Sequence, residues 1–388
     1  KEKQQIIQQL SEKGLQPTRL MENEDGYSEK IIFPGAIVNY RGRELPVPLL
    51  QEQLNKGPQE TLNNSIALLE YNLANTMQKL QRDKRPAIGF LQGHGELPKE
   101  EVQSFAAALA PYYLLDWIDI NDNLFIPKQF AAVIIARPTK PFEDTNKFKI
   151  DQYIMNGGRV LWLVENMRAE LDSLKSNNGS FIALDYGLNL EDQLFKYGVR
   201  INFDMVQDLQ CSQIPLSVDK DQFGNSQKLA PFDWVYFPVI TGYNANHPVT
   251  KSMDAVLMSF VNTIDTIRTK NATIKKDILM YSSRYSRSVT APVKVDVNDV
   301  RYRIKPNLTE FDKGPMPIAV ALEGEFDSPF KNRLAKETIE MIDTLEGISY
   351  RTKSVPTKMI VIADGDIIRN DYNPSTGRVS PLGYYKYT

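Results

Sequence analysis

The stretch Ile88-Gly-Phe-Leu-Gln-Gly-His-Gly-Glu-Leu-Pro98 decides how this chain is read. Ile88 to Leu91 form a short apolar run with no polar alternation, the composition of a strand buried on both faces in a parallel sheet covered by helices. The run stops at His94, which is flanked by Gly93 and Gly95 and followed by Glu96. Glycines there mark a turn out of the strand, and after Pro98 the spacing of Val102, Phe105, Ala106 and Leu109 predicts a helix over 99–109.

The same rhythm continues outward. Apolar runs predict strands at 114–120, 131–136 and 159–164, with a helix at 147–155 between the last two, and again strands at 317–322 and 358–363 with a helix at 334–345. Strand, helix and strand in alternation give an α/β fold with a doubly wound, mostly parallel sheet. Between about 212 and 315 the rhythm breaks. Pro215, Pro231, Pro238 and Pro248 interrupt strand-like pieces at 234–237 and 277–281, which predicts a β-rich insertion in an 85–388 domain.

Upstream, the charged, proline-closed run 81–86 marks a boundary that leaves 1–84 as a smaller N-terminal α/β domain. In it, Ile6, Ile7 and Leu10 predict a helix ended by Gly14, and 30–33 and 36–40 predict strands. Pro46 and Pro48 hold the next segment at an edge. Ile66, Leu69, Leu73, Met77 and Leu80 predict a helix from residue 64, with Asn63 or Asn64 as N-cap.

Bulk composition narrows the function classes. In 388 residues, 46 Lys and Arg against 48 Asp and Glu leave no basic excess for a phosphate backbone, so no nucleic-acid partner is expected. The single cysteine, Cys211, excludes an internal disulfide and fits either a reducing or an oxidising compartment. The polar amphipathic start is neither a signal peptide nor a membrane span, and it reads as a piece of a longer chain.

The candidate chemistry sits at strand ends. Gly93, His94, Gly95 and Glu96 would lie beyond the carboxyl end of a strand, where open α/β sheets bind ligands, and an imidazole there can act as base, metal ligand or hydrogen-bond donor. The plainer reading is a strand-to-helix turn, with Glu96 favoured by the dipole of the following helix. A second candidate edge is Asp364 and Asp366, whose carboxylates could hold Mg²⁺ or simply build an Asp-Gly turn. Sharper motifs fail: Pro98 stands where a dinucleotide loop needs glycine, one cysteine cannot complete a zinc-deaminase site, and Cys211 lacks a nucleophile elbow. His247 is distant in sequence, so no metal site and no cofactor are expected.

Four separated segments, 29–40, 89–97, 156–163 and 361–370, together resemble the GldG family of gliding-motility proteins across nearly the whole chain. The resemblance implies a class I glutamine amidotransferase-like central region, similar also to a domain of an intraflagellar transport component. It implies a non-catalytic auxiliary component of an ABC-type transport system in gliding Bacteroidetes. Its location would be periplasmic, anchored to the inner membrane by helices outside this stretch. The implied partners are the ABC permease subunit, through it the cytoplasmic ATPase, and periplasmic motility or envelope components. No catalytic residues carry over; only the 93–96 loop matches as a signature. Two rival readings are a hydrolase using His94 and Glu96, and a carbohydrate-binding module stacking sugars on Trp117, Trp162, Trp234 or on Tyr384, Tyr385 and Tyr387.

Overall fold

The computed structural model describes residues 2–15, 17–22, 28–50, 57–81, 85–176, 179–220, 226–251, 253–268, 274–344, 349–373 and 375–382. Its contacts separate two compact units, Lys1–Arg85 and Pro86–Thr388.

In the first unit, helix α1 (Glu2–Glu12) ends at Gly14, whose φ of +86° is open to glycine without a Cβ penalty. Strands β1 (Thr18–Glu22) and β2 (Ser28–Ile32) pair antiparallel, as do β3 (Gly35–Tyr40) and β4 (Arg43–Pro48), the second pair joined through Arg41 and Gly42 at positive φ. Pro46 and Pro48 lie in β4, which among the described residues has only one strand partner. Helix α2 (Pro58–Gln81) packs on β3 and β4. It begins six residues before Asn64, so the expected cap is wrong: Asn63 and Asn64 are helix interior. Pro58 supplies a first-turn residue whose φ is already helical and whose missing N–H costs nothing there. The face that α2 buries carries Thr61, Ser65, Thr76 and Leu80, while Ile66 and Met77 are exposed.

The second unit is built on an eight-stranded sheet. Its strands β5 (Ala87–Gln92), β6 (Leu114–Asp119), β7 (Phe130–Ala136) and β8 (Val160–Leu163) run parallel with the strand Thr357–Ile362, in the order β6, β5, β7, β8, Thr357–Ile362. Pro317–Gly324, Lys275–Tyr281 and Gly242–Tyr243 then extend this edge antiparallel. The sheet is therefore mixed: five of its eight strands run parallel, and the three that extend one edge run antiparallel. Helices α3 (Gln103–Leu109, after a 3-10 turn) and α4 (Asp144–Met155) follow β5 and β7. The apolar runs are buried as their composition requires: Phe90, Val133, Ile135, Trp162 and Val361 are all at most 1% exposed. Each such side chain contributes about 1.5–3 kcal/mol through burial.

The strand-rich stretch carries a second core around Met167, Met205, Trp234, Tyr236, Phe260 and Phe311. That core reaches back to Met167, and two strands of the stretch, Gly242–Tyr243 and Lys275–Tyr281, belong to the large sheet. Periodicity alone does not distinguish a strand that joins the main sheet from one that pairs locally.

Candidate functional site at the carboxyl edge of the sheet

The chain leaves β5 toward β6 on one side and returns to β7 on the other. That reversal opens a crevice at the carboxyl ends of β5 and β7, the place where open α/β sheets accept ligands. The 93–96 loop and the 137–140 loop close over it. His94 O accepts from Thr139 N (2.8 Å) and Lys140 N (2.9 Å), and Leu97 N donates to Ala136 O (2.9 Å). Gly95 is required twice over: its φ is +75°, and a Cβ there would stand 2.2 Å from Thr139 Oγ1.

His94 itself does not face solvent. Its ring is stacked on Phe142 with centroids 3.6 Å apart, and the residue is 3% exposed. Nδ1 lies 3.3 Å from Glu96 Oε1, and Nε2 lies 3.1 Å from Asn146 Nδ2, which also donates to Asn121 Oδ1. With an amide N–H directed at Nε2, the proton sits on Nδ1 and is given to Glu96. Glu96 also accepts the backbone N–H of His94 at 2.7 Å. The carboxylate thus folds back on its own loop instead of serving the next helix, as the sequence had suggested. Gly95 and Glu96 line the crevice, and the buried His94 holds Glu96 from within the loop.

The second candidate edge meets the first through a residue the sequence reading passed over, Arg137. It follows β7 directly and holds a φ of +54°. Its Nε lies 2.9 Å from Asp366 Oδ1 and 3.3 Å from Glu165 Oε1, and its Nη2 donates to Glu170 Oε1 at 2.6 Å. Burial opposes its charge, but Asp366 and Glu165, together with Tyr186 and Glu170, outweigh burial and raise its pKa. Gly365 permits this approach, because a Cβ there would stand 2.7–2.8 Å from Arg137 Cβ, Cα and Cγ.

Around Arg137 the carboxylates divide. Asp366 pairs with it and with Arg369 Nη1 at 3.3 Å, while Arg369 Nε also bonds Glu101 at 2.6 Å. Asp364 is fully buried, accepts from Ser259 N and Asp366 N, and is pushed up to about 7 by burial and then by Asp366. Glu165 is driven well above its ordinary value by burial and the same neighbour. Asp364 is therefore an interior turn carboxyl, and Asp366 an ion-pair partner. Arg137 and Glu165 had a readable signal: a charged residue stands at or just past the end of an apolar strand run. Their convergence with Asp366 across some 200 residues had none.

The crevice has a volume of about 530 Å³. Among the described residues no group of three or more His, Cys, Asp or Glu is arranged to hold a metal ion, and His247 Nδ1 accepts only a local backbone N–H. Cys211 is half-buried in a strand, its thiol pushed up to about 12 by burial and then by Asp233, so it is a poor nucleophile. Trp162 and Trp234 are fully buried, which removes them as sugar platforms. Trp117 stacks on Phe90, with Lys99 Nζ over its ring. Tyr384, Tyr385 and Tyr387 lie outside the described residues.

The family described as an ABC-type uncharacterized transport system, auxiliary in its label, matches residues 85–388. The chain belongs to this family. The matched residues include the whole eight-stranded sheet and both loops of the crevice. As a family member the chain is an auxiliary component of an ABC-type transport system. No curated protein matches it. A solved structure titled mmIFT52 N-terminal domain is similar at a TM-score of 0.39 and 12% identity, over 73% of this chain and 88% of that one. No described helix is long and apolar enough to cross a membrane.

Proposed function

We propose that this chain is a GldG-like, non-catalytic component of a gliding-motility transporter. In this reading it lies in the periplasm, is anchored to the inner membrane, and docks the ABC permease and through it the cytoplasmic ATPase. The crevice beside Arg137 is its point of contact with a ligand, a motility component or an envelope component. The observation that carries the non-catalytic reading is the setting of His94: its ring is buried and both its nitrogens are engaged, by Glu96 and Asn146. A hydrolase would need a nucleophile within about 3 Å of a free imidazole nitrogen. The five parallel strands support the amidotransferase-like reading of the sheet. The order of the four matching segments supports GldG within the wider family.

A photo-crosslinker at Lys140 or Arg168, on the crevice rim, tests this in cells. Capture of the permease, with the chain fractionating to the periplasmic face, is the expected result. Hydrolysis of glutamine, esters or glycosides by the purified chain, lost in Glu96→Gln with the fold retained, would overturn it.

A further inference from the structure

We propose that the crevice beside Arg137 is an anion site, taking a small ligand or chain end that carries a carboxylate or phosphate group. The proposal rests on the crevice being a ligand edge, but not on any transporter partner.

Most charges that line the crevice are already committed. Glu96 is engaged by His94, Glu101 by Arg369 and Glu170 by Arg137. Asp185 accepts the backbone N–H of Gly187 at 2.7 Å. On the other side, Arg137 and Arg369 are spent on Asp366 and its neighbours. Two lining cations remain. Arg168 and Lys140 are exposed, and neither side chain has a hydrogen bond or ion pair among the described residues. Their backbones are nonetheless fixed, Arg168 by strand pairing with Leu184 and Lys140 by its bond to His94 O. Two positive heads on anchored backbones thus face a crevice whose acids are largely satisfied.

A cation entering here would meet Asp185 as the lining carboxylate without a cationic partner among the described residues, whereas an anion would meet two unpaired cations, Arg168 and Lys140, and break no ion pair. Tyr186 adds a hydroxyl to the lining, and burial, then Glu165, pushes it up to about 12, so it stays a donor. Arg137 Nη1 has no protein partner among the described residues. The volume of about 530 Å³ falls within the range of about 300–1,000 Å³ usual for small-ligand sites. Exposed charges in water attract weakly, so the affinity should be modest and salt-dependent.

The test uses the full chain at low ionic strength, with glucuronate, inorganic phosphate and an acidic peptide as anionic probes and glucose as the neutral match to glucuronate. Calorimetric titration should detect at least one anion and not glucose. Arg168→Ala combined with Lys140→Ala should weaken that anion about tenfold or more, as should about 0.5 M salt. Both heads are exposed, so the double variant should keep the parent melting temperature. Which anion binds separates the carboxylate from the phosphate source. Equal binding of glucose, no anion binding below about 10 mM, or undiminished affinity in the double variant overturns the proposal. Permease capture without anion binding would defeat this inference alone; anion binding without permease capture would defeat only the transporter reading.

Discussion

Replacing His94 by alanine should cost stability first, whatever it does to function. The change removes a ring that is stacked on Phe142 and leaves Glu96, itself 6% exposed, with only the backbone N–H of residue 94 among the described residues. Loss of the aromatic stack is worth about 0.5–1.5 kcal/mol. Leaving a buried acceptor short of a partner costs about 1–3 kcal/mol more. A destabilisation of about 3 kcal/mol follows, before any relaxation of the small cavity. The Pro86–Thr388 unit has about 300 residues, so its unfolding entropy of about 0.6 kcal/mol per degree converts this to a fall of about 5 °C. Guanidinium unfolding of His94→Ala, Glu96→Ala and the double variant measures both the loss and its origin. The double variant should be less destabilised than the sum of the two, with a coupling of about 1 kcal/mol. A His94→Ala variant within about 0.5 kcal/mol of the parent, or two changes that simply add, would show that the histidine does not support this loop.

Gly365→Ala should destabilise by about 1–3 kcal/mol, because the added methyl meets Arg137 Cα as well as its side chain and neither can move away cheaply; a neutral result in denaturant unfolding would refute the close approach. Stability should fall with rising pH. Asp364, pushed from 3.8 to about 7, and Asp151, pushed to about 6 by burial, hold protons in the folded chain that the unfolded chain has released. Their contribution is complete below the unfolded value and is lost as pH rises through 6 and 7, amounting to at most about 4 kcal/mol between pH 5 and pH 8. Melting curves should therefore sit several degrees higher at pH 5, and an equal or higher melting temperature at pH 8 would contradict the burial of these two carboxyls. Cys211 should react with a thiol reagent at pH 8 about a thousandfold more slowly than a free cysteine, since a thiol at about 12 is almost entirely protonated there; labelling at the free-thiol rate would show it is not shielded.

The runs at 88–91, 131–136 and 358–363 name their strands to within a residue or two, because an apolar segment bounded by glycine, proline or charge has few other ways to satisfy its backbone. The family resemblance, too, lies in local segments. The start of α2 misleads, because its strongest apolar spacing begins at Ile66, about two turns after Pro58 has already set the helix going, and part of that stripe is exposed. Trp162 and Trp234 show the same limit: a tryptophan reads alike whether it faces a sugar or a core. Local pattern determines which segments become strands and helices, since backbone hydrogen bonding and side-chain period act over a few residues. Only the tertiary fold decides that β5 lies between β6 and β7, that His94 turns inward, and that Arg137 meets Asp366. Pairing order and burial are settled by contacts between residues far apart in the chain, and the charge left over at Arg168 and Lys140 exists only once those contacts have formed.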